Sequence, residues 1–265
     1  MKLGVIGCGN MGRALVGGIL EVGLCEAGET FVYDAHPEAS AAMSQELGVQ
    51  VVDSNAAVVE STDVILLCVK PQVFDEMLSE LGDSADRLLI SIAAGVQIAT
   101  IESGVENRHR VIRVMPNTPA LIGRGASGYA LGNSATEDDA TLTESLLCAV
   151  GFACRVNEAD LDAVTALSGS GPAYVFLLIE SLVAGGIEQG LEPRVALNLA
   201  THTVAGAAEL LLSGIDTPGE LREKVTSPNG TTFAALESFR ADGFAGIVNR
   251  AVKAAADRSR ELGQA

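Results

Sequence analysis

This 265-residue chain has no tryptophan and only 4% aromatic residues, so its core must be assembled from Ala, Val, Leu and Ile. Basic side chains are scarce as well: 17 Lys and Arg stand against 34 Asp and Glu, a formal charge of −17. Such a surface repels phosphate backbones and anionic lipid, which argues against nucleic-acid and membrane partners. Three scattered histidines and five cysteines (Cys8, Cys25, Cys68, Cys148, Cys154) with no CxxC pair give neither a zinc site nor a disulfide framework. No metal is therefore expected, and the cysteine usage points to a reducing, cytoplasmic setting. The apolar start MKLGVIGCGNMGRALVGGIL is broken by Asn10 and Arg13 and has no convincing cleavage signal, so it does not read as a signal peptide. The longest apolar stretch, 173–187, contains Glu180 and falls short of a membrane span.

What is present in excess is glycine, 29 residues, above the roughly 7% norm, which predicts several tight backbone approaches. Apolar segments at 3–6, 31–34, 49–52, 63–69, 88–94 and 110–115 read as strands, and helical patterns at 11–22 and 38–47 alternate with them. The strand at 63–69 is continuously apolar, as in a parallel sheet buried on both faces. After about residue 160 the strands stop, and 161–190, 194–213, 218–226, 231–241 and 244–262 all read as helices. The predicted class is α/β: a doubly wound, Rossmann-type parallel sheet over 1–158, followed by an all-helical domain over 159–265. Residues 1–160 carry 9 basic and 22 acidic side chains. Any phosphate bound there must rely on backbone N–H groups and a few chosen cations.

Gly7, Gly9 and Gly12 form GxGxxG between the first strand and the first helix. In a dinucleotide site Gly7 permits the turn, Gly9 admits the pyrophosphate and Gly12 lets helix and strand pack closely. The alternative is a purely structural turn. Asp34 ends the second strand, where a carboxylate accepts hydrogen bonds from a ribose and repels a 2′-phosphate, favouring NAD; it also reads as an ordinary turn residue. His36 could touch the adenosine side or lie in solvent. Lys70-Pro71 and Ala93-Ala94-Gly95 follow strands at the end where such sheets bind ligands, and Asn117, in the turn MPNTP, can meet a carboxamide or the turn backbone. In the helical part, TSPNGTT (226–232) reads either as an anion-binding nest at a helix start or as a plain helix cap built on the Thr pair. SGSGPAY (168–174) is as ambiguous, since it can be only a kinked helix start.

Together, IGCGNMG (6–12), VKP (69–71), SIAAGV (91–96), RVMPNTPALIGRGAS (113–127), LSGSGPAYVF (167–176) and LREKVTSPNGTTFAALESF (221–239) resemble the pyrroline-5-carboxylate reductase family. The resemblance covers nearly the whole chain in order. It implies reduction of 1-pyrroline-5-carboxylate to L-proline, the last step of proline biosynthesis, with NADP(H), and NAD(H) as the alternative. It also implies a helical domain that interlocks with a second copy, as a homodimer or a ring of dimers, and an active site between the cofactor domain and the partner's helices. Carried over residue by residue, Gly7, Gly9, Asn10, Met11, Gly12, Asp34, His36, Asn55, Val69, Lys70, Pro71, Ala93, Ala94, Gly95 and Asn117 line the cofactor. Ser227, Asn229, Gly230, Thr231 and Thr232 hold the substrate, with Thr232 as the catalytic hydroxyl at the ring nitrogen. Two residues depart from the family pattern. Asn229 stands where SPGGTT has its first glycine, and Asp34 stands where a small or neutral polar residue is usual. The rival readings are a 3-hydroxyacid-type dehydrogenase, which needs a catalytic Lys in the helical part, and a non-catalytic dinucleotide sensor. Only Lys224 and Lys253 are available to the first, and the intact Thr231-Thr232 pair argues against the second.

Overall fold

The computed structural model describes residues 1–263. Eight strands form one sheet: β1 (Leu3–Ile6), β2 (Thr30–Tyr33), β3 (Gln50–Val51), β4 (Val64–Leu67), β5 (Leu88–Ser91), β6 (Arg110–Met115), β7 (Gly125–Leu131) and β8 (Gly151–Arg155). Their order is β3-β2-β1-β4-β5-β6-β7-β8. The first six are parallel, β7 runs antiparallel to β6, and β8 is parallel to β7. Helices α1 (Asn10–Glu21), α2 (Pro37–Leu47), α3 (Asn55–Ser61), α4 (Phe74–Ser79), α5 (Ile98–Gly104) and α6 (Glu137–Cys148) fill the connections.

Strand alternation splits the core into two layers. Leu3, Val5, Leu66, Ile90 and Ile112 pack with Leu15, Val16 and Ile19 of α1 on one face. Ile6, Ile65, Leu67, Leu89 and Val111 pack with Val58, Phe74 and Ile101 on the other. All four residues of β1, β4 and β5 are buried, the sign of strands covered on both faces. Gly4 belongs to this packing, since a Cβ there would lie 2.6 Å from Val58 Cγ1 of α3.

β7 and β8 are additions to the sequence reading, which placed no strand after 115. Both are poor in the β-branched residues that announce a strand. β7 is small-residued because a helix crosses it: a Cβ on Gly128 would lie 2.9 Å from Val164 Cγ1. β8 is the sheet edge and leaves Phe152 exposed.

From residue 161 on the chain is helical: α7 (Leu161–Val164), a π-turn over Thr165–Gly169, α8 (Gly171–Glu188), α9 (Pro193–Leu212), α10 (Pro218–Lys224), α11 (Thr231–Ala241) and α12 (Phe244–Leu262). The change of structural class and the division into compact units do not coincide. One unit holds Met1–Ser170 and takes back the chain from Ala254 on; the other is Gly171–Lys253. α7 and the π-turn stay with the sheet because Leu161 and Ala166 are fully buried there.

In the second unit α8 and α9 form a close hairpin, with the Gly186 position 3.3 Å from Leu191 Cδ1 and 3.4 Å from Ala196 Cβ. Much apolar surface remains open, including Phe176, Leu177 and Leu212, the last 80% exposed. The apolar stretch 173–187 lies within a longer helical run. The continuous helical run Glu158–Glu188 and the helix Pro193–Leu212 are both long and apolar enough to span a membrane, by length and composition.

α6 is fixed by one carboxylate. Thr136 and Asp139 form a capping box, and Arg110 Nε donates to Asp139 at 2.9 and 3.2 Å. Burial pushes the Asp139 carboxyl up, but hydrogen bonds from the Thr136 N–H and hydroxyl and from Arg110 outweigh it, leaving the pKa below its usual value. Its stabilisation is therefore present above the unfolded pKa of about 3.9 and is lost as pH falls through the lower folded value. Asp139→Ala should cost about 2 kcal/mol in urea unfolding at neutral pH, and the gap between variant and wild type should close on acidification. A gap that persists unchanged at low pH would remove Asp139 from this role.

Candidate active site

β1 ends in Gly7, whose φ of +100° turns the chain sharply and whose N–H bonds the Tyr33 carbonyl at 2.9 Å. A Cβ on Gly7 would strike the Cys68 backbone at 2.7 Å, and one on Gly12 would stand 2.5 Å from the Gly7 oxygen. Gly9 is different: it has extended backbone, and nothing lies within 4 Å of its absent Cβ. Two of the glycines serve packing, and the third keeps open space above the turn. The first bond of α1 runs from Arg13 N to Gly9 O at 3.0 Å, which leaves the N–H groups of Asn10, Met11 and Gly12 ahead of the helical ladder.

Asp34 holds this turn. Its Oδ2 accepts the Cys8 N–H at 2.7 Å and its Oδ1 accepts the His36 N–H at 2.8 Å. The strand-end Asp is thus an anchor for the glycine loop as well as a lining group. It borders a groove of about 720 Å³ with Tyr33, Ala35, Ser40, Val52 and Asp53. His36 is exposed beside it. Val69 is half-buried, Lys70 and Pro71 are exposed after β4, and Lys70 has no ion pair among the described residues. Ala93 is buried after β5, Ala94 is exposed, and Gly95 adopts φ +80°. Asn55, the first residue of α3, is buried; its Nδ2 donates to Glu80 at 2.7 Å, while its Oδ1 has no partner. These groups gather at the carboxyl ends of β1, β2, β4 and β5, around the point where strand order reverses, the usual ligand crevice of such sheets.

Asn117 is committed elsewhere. Its Oδ1 accepts the Ala126 N–H at 2.8 Å, and its Nδ2 donates to the Ser168 carbonyl at 3.1 Å. Both partners lie outside the turn MPNTP, so the backbone that Asn117 bonds is not that of its own turn. The Ser168 hydroxyl donates to the Ala126 carbonyl at 2.9 Å, and Ser170 N closes the π-turn on Thr165 O at 2.8 Å. SGSGP is therefore the exit of a π-turn, which sequence periodicity could not show.

The second anion-binding candidate is the start of α11. Asn229 has φ +58°, the left-handed region that asparagine tolerates better than most residues. Gly230 tucks under Ser227: its N–H bonds the Ser227 carbonyl at 3.0 Å, and a Cβ would collide with the Ser227 hydroxyl. The sequence reading gave the cap to the Thr pair. The structure makes Gly230 the N-cap, with no side chain bonding the first turn, and Thr231 and Thr232 become the first helical residues. The first ladder bond is Ala234 N to Gly230 O at 3.1 Å. Thr231 is exposed and Thr232 half-buried.

Several other helix starts are capped or carry an acid in the first turn. Ser54 caps α3, Glu192 caps α9, capping boxes close α6 and α10, and Glu158 reaches Ile98 at the head of α5. α2 carries Glu38 and α4 carries Asp75 and Glu76 in their first turns. α1 and α11 have neither a side-chain cap nor an acid there, so each presents bare N–H groups and the positive end of its dipole. The nearby thiols are inert: burial first, then Asp34, pushes Cys8 up to about 12, and burial raises Cys68 as well.

A family model for pyrroline-5-carboxylate reductase dimerisation matches residues 158–262, and one for NADP oxidoreductases, coenzyme F420-dependent, matches residues 2–95. The pyrroline-5-carboxylate reductase of Pseudomonas aeruginosa is 41% identical over 266 residues, covering 99% of this chain and 97% of that protein. This chain belongs to the pyrroline-5-carboxylate reductase family. The family's solved structure from Coxiella burnetii superposes with a TM-score of 0.94 at 33% identity, covering 98% of each chain. The Plasmodium falciparum enzyme, solved with NADP bound, gives 0.86 at 30% identity, covering 99% of this chain and 98% of that one. Within the family pattern, Asn229 occupies a left-handed position, which is why the loop survives without its first glycine.

The glycine roles separate by substitution. Gly12→Ala should lower stability by about 2 kcal/mol, because its new methyl meets backbone that cannot move aside. Gly9→Ala should change it by no more than about 0.5 kcal/mol. Thermal unfolding of the two variants checks this, and equal losses would mean the turn is packed around Gly9 too.

Proposed function

We propose that this protein reduces 1-pyrroline-5-carboxylate to L-proline with a reduced nicotinamide dinucleotide, NADPH or NADH. The observation that carries the reading is the uncapped start of α11 behind TSPNGTT, with Asn229 left-handed and Gly230 as N-cap, in a chain related to these reductases over its full length. The residues present fit a dinucleotide. Open space over Gly9 and bare N–H groups at the head of α1 suit the phosphates of such a ligand at the sheet's carboxyl end, and the unpartnered Asn55 Oδ1 is an acceptor for a hydroxyl of its sugars. Gly7, Gly9, Asn10, Met11 and Gly12 would hold the pyrophosphate. Asp34, His36 and Asn55 would line the adenosine side, and Val69, Lys70, Pro71, Ala93, Ala94 and Gly95 the nicotinamide side. Asn117 would contribute by holding the turn that closes this end. When bound, the reduced nicotinamide supplies hydride to the imine carbon.

The chain's own residues position and neutralise. The substrate carboxylate would rest on the N–H groups at the head of α11, between Ser227, Asn229, Gly230 and Thr231. In a protein of charge −17, backbone donors bind an anion without adding buried cations. The Thr232 hydroxyl would hydrogen-bond the ring nitrogen, which gains a proton as the C=N bond becomes C–N. Asp34 disfavours a 2′-phosphate by charge. Because its two oxygens already accept the Cys8 and His36 N–H groups, that repulsion is partly offset, and both dinucleotides are expected to serve.

We further propose a cytoplasmic homodimer, a unit from which a ring of dimers can be built. The dimerisation match covers the helices whose apolar faces are exposed in one copy, and the five cysteines are free thiols.

Purified protein mixed with NADPH and pyrroline-5-carboxylate, followed at the nicotinamide absorbance, should show turnover. Absence of turnover with either dinucleotide defeats the proposal. Thr232→Ala should lower kcat by about 10²-fold with dinucleotide binding nearly intact. Unchanged kinetics would remove Thr232 from the reaction. Light scattering should give a dimer whose melting temperature rises with protein concentration, and a fully active monomer at micromolar concentration would defeat the assembly.

A further inference from the structure

The loop after β5, residues 92–97, is held at its far end by Glu158 and, at Gly95, by a C-terminal segment that Asp162 anchors. At the far end the Glu158 carboxylate accepts the Ile98 N–H at 2.7 Å and the Arg113 guanidinium at 3.1 Å. The head of α5 is thus held by a side chain from a segment distant in sequence. At Gly95 the hold runs through the end of the chain. Asp162 Oδ1 accepts the Ser259 hydroxyl at 2.6 Å, and Ser259 is buried on the last turns of α12. Four residues on, Gly263 lies against Gly95. A Cβ on Gly263 would stand 3.1 Å from the Gly95 carbonyl oxygen, and one on Gly95 would stand 3.6 Å from the Gly263 nitrogen and the Leu262 carbonyl.

The sequence of this helix end suits the task. Ala256, Ser259 and Gly263 follow one another at i, i+3 and i+7, so they share a face, and Ala256 and Ser259 are buried. The ion pairs Arg258–Glu261 and Arg260–Asp257 leave charged groups toward solvent. A buried hydroxyl is costly unless bonded, and Asp162 satisfies Ser259. Gly95 itself, at φ +80°, has no side chain with which to fix its own place.

We propose that residues 256–263 form a strap that sets the position of Ala93–Gly95, with Asp162, Ser259 and Gly263 as positioning residues for the nicotinamide dinucleotide. This rests on the assignment of Ala93–Gly95 to the cofactor crevice made above. The strap holds the loop without touching the imine, so its loss shows in dinucleotide affinity.

The test titrates the full-length protein with NADPH by fluorescence, without pyrroline-5-carboxylate, and then separates KM and kcat for both reactants. Ser259→Ala and Asp162→Ala should weaken NADPH binding and raise its KM about fivefold, the size of one lost hydrogen bond. The KM for pyrroline-5-carboxylate and kcat should stay within about twofold. Asp162→Asn keeps an oxygen acceptor for Ser259 and should restore affinity. If Asp162→Ala fails to fold, Ser259→Ala and Asp162→Asn decide the matter. A wild type that binds NADPH, with variants that bind it equally well, overturns the strap alone. Equal losses for imine and dinucleotide also overturn it, because they mark general loosening, as does an Asp162→Asn no tighter than Ser259→Ala. A wild type that binds neither dinucleotide overturns the cofactor assignment and the strap with it.

Discussion

The first unit is organised around a backbone contact that no side chain could share. α1 lies so close to β1 that a single methyl on Gly12 would stand 2.5 Å from the Gly7 oxygen. That approach fixes the head of α1 at the carboxyl end of β1, beside the point where strand order reverses, where its unpaired N–H groups face the crevice. The same economy of atoms recurs at Gly4 of β1 against Val58 of α3, so helices on both faces approach the sheet through missing β-carbons, and at Gly18 of α1 against Val150 in the turn after α6. Asp34 then ties the turn to β2 by accepting the Cys8 N–H. Removing that carboxylate acts on the turn as well as on any charge discrimination.

The charge of the chain constrains its chemistry. With acidic residues outnumbering basic ones two to one, cationic side chains are scarce and oriented peptide dipoles are the more abundant groups that can meet an anion. The starts of α3, α6, α9 and α10 spend theirs on side-chain caps; α1 and α11 do not. Each is preceded by a glycine N-cap and a turn that needs a left-handed residue, Gly7 in one and Asn229 in the other. The two sites therefore share one physical solution, in two separate compact units.

The helical unit shows the cost of a core without aromatics. Ala and Gly let α8 and α9 approach closely, yet only Ala196 and Ala200 are buried in the hairpin and large residues such as Phe176 and Leu177 stay open. Apolar surface of that extent demands cover, and the match to a reductase dimerisation family over 158–262 says which kind of cover this architecture takes.

The sequence by itself determined the six parallel strands, the GxGxxG turn, the helical second half and the TSPNGTT segment, because each rests on local patterns: continuous apolar runs, glycine spacing and helical periodicity. It also showed that Asn229 tolerates positive φ, while its place in the left-handed region, at φ +58°, came from the structure. Tertiary structure decided the rest. β7 is a strand because it pairs with β6 and β8, β8 because it pairs with β7, and Gly128 is small because Val164 lies over it. Asn117 bonds the backbone of Ala126 and Ser168, the second 51 residues away, rather than that of its own turn. The cap of α11 fell on Gly230 rather than the Thr pair because Ser227 folds over it. The return of the chain's end to Gly95 and Asp162 is a contact between segments far apart in sequence, which no local pattern encodes.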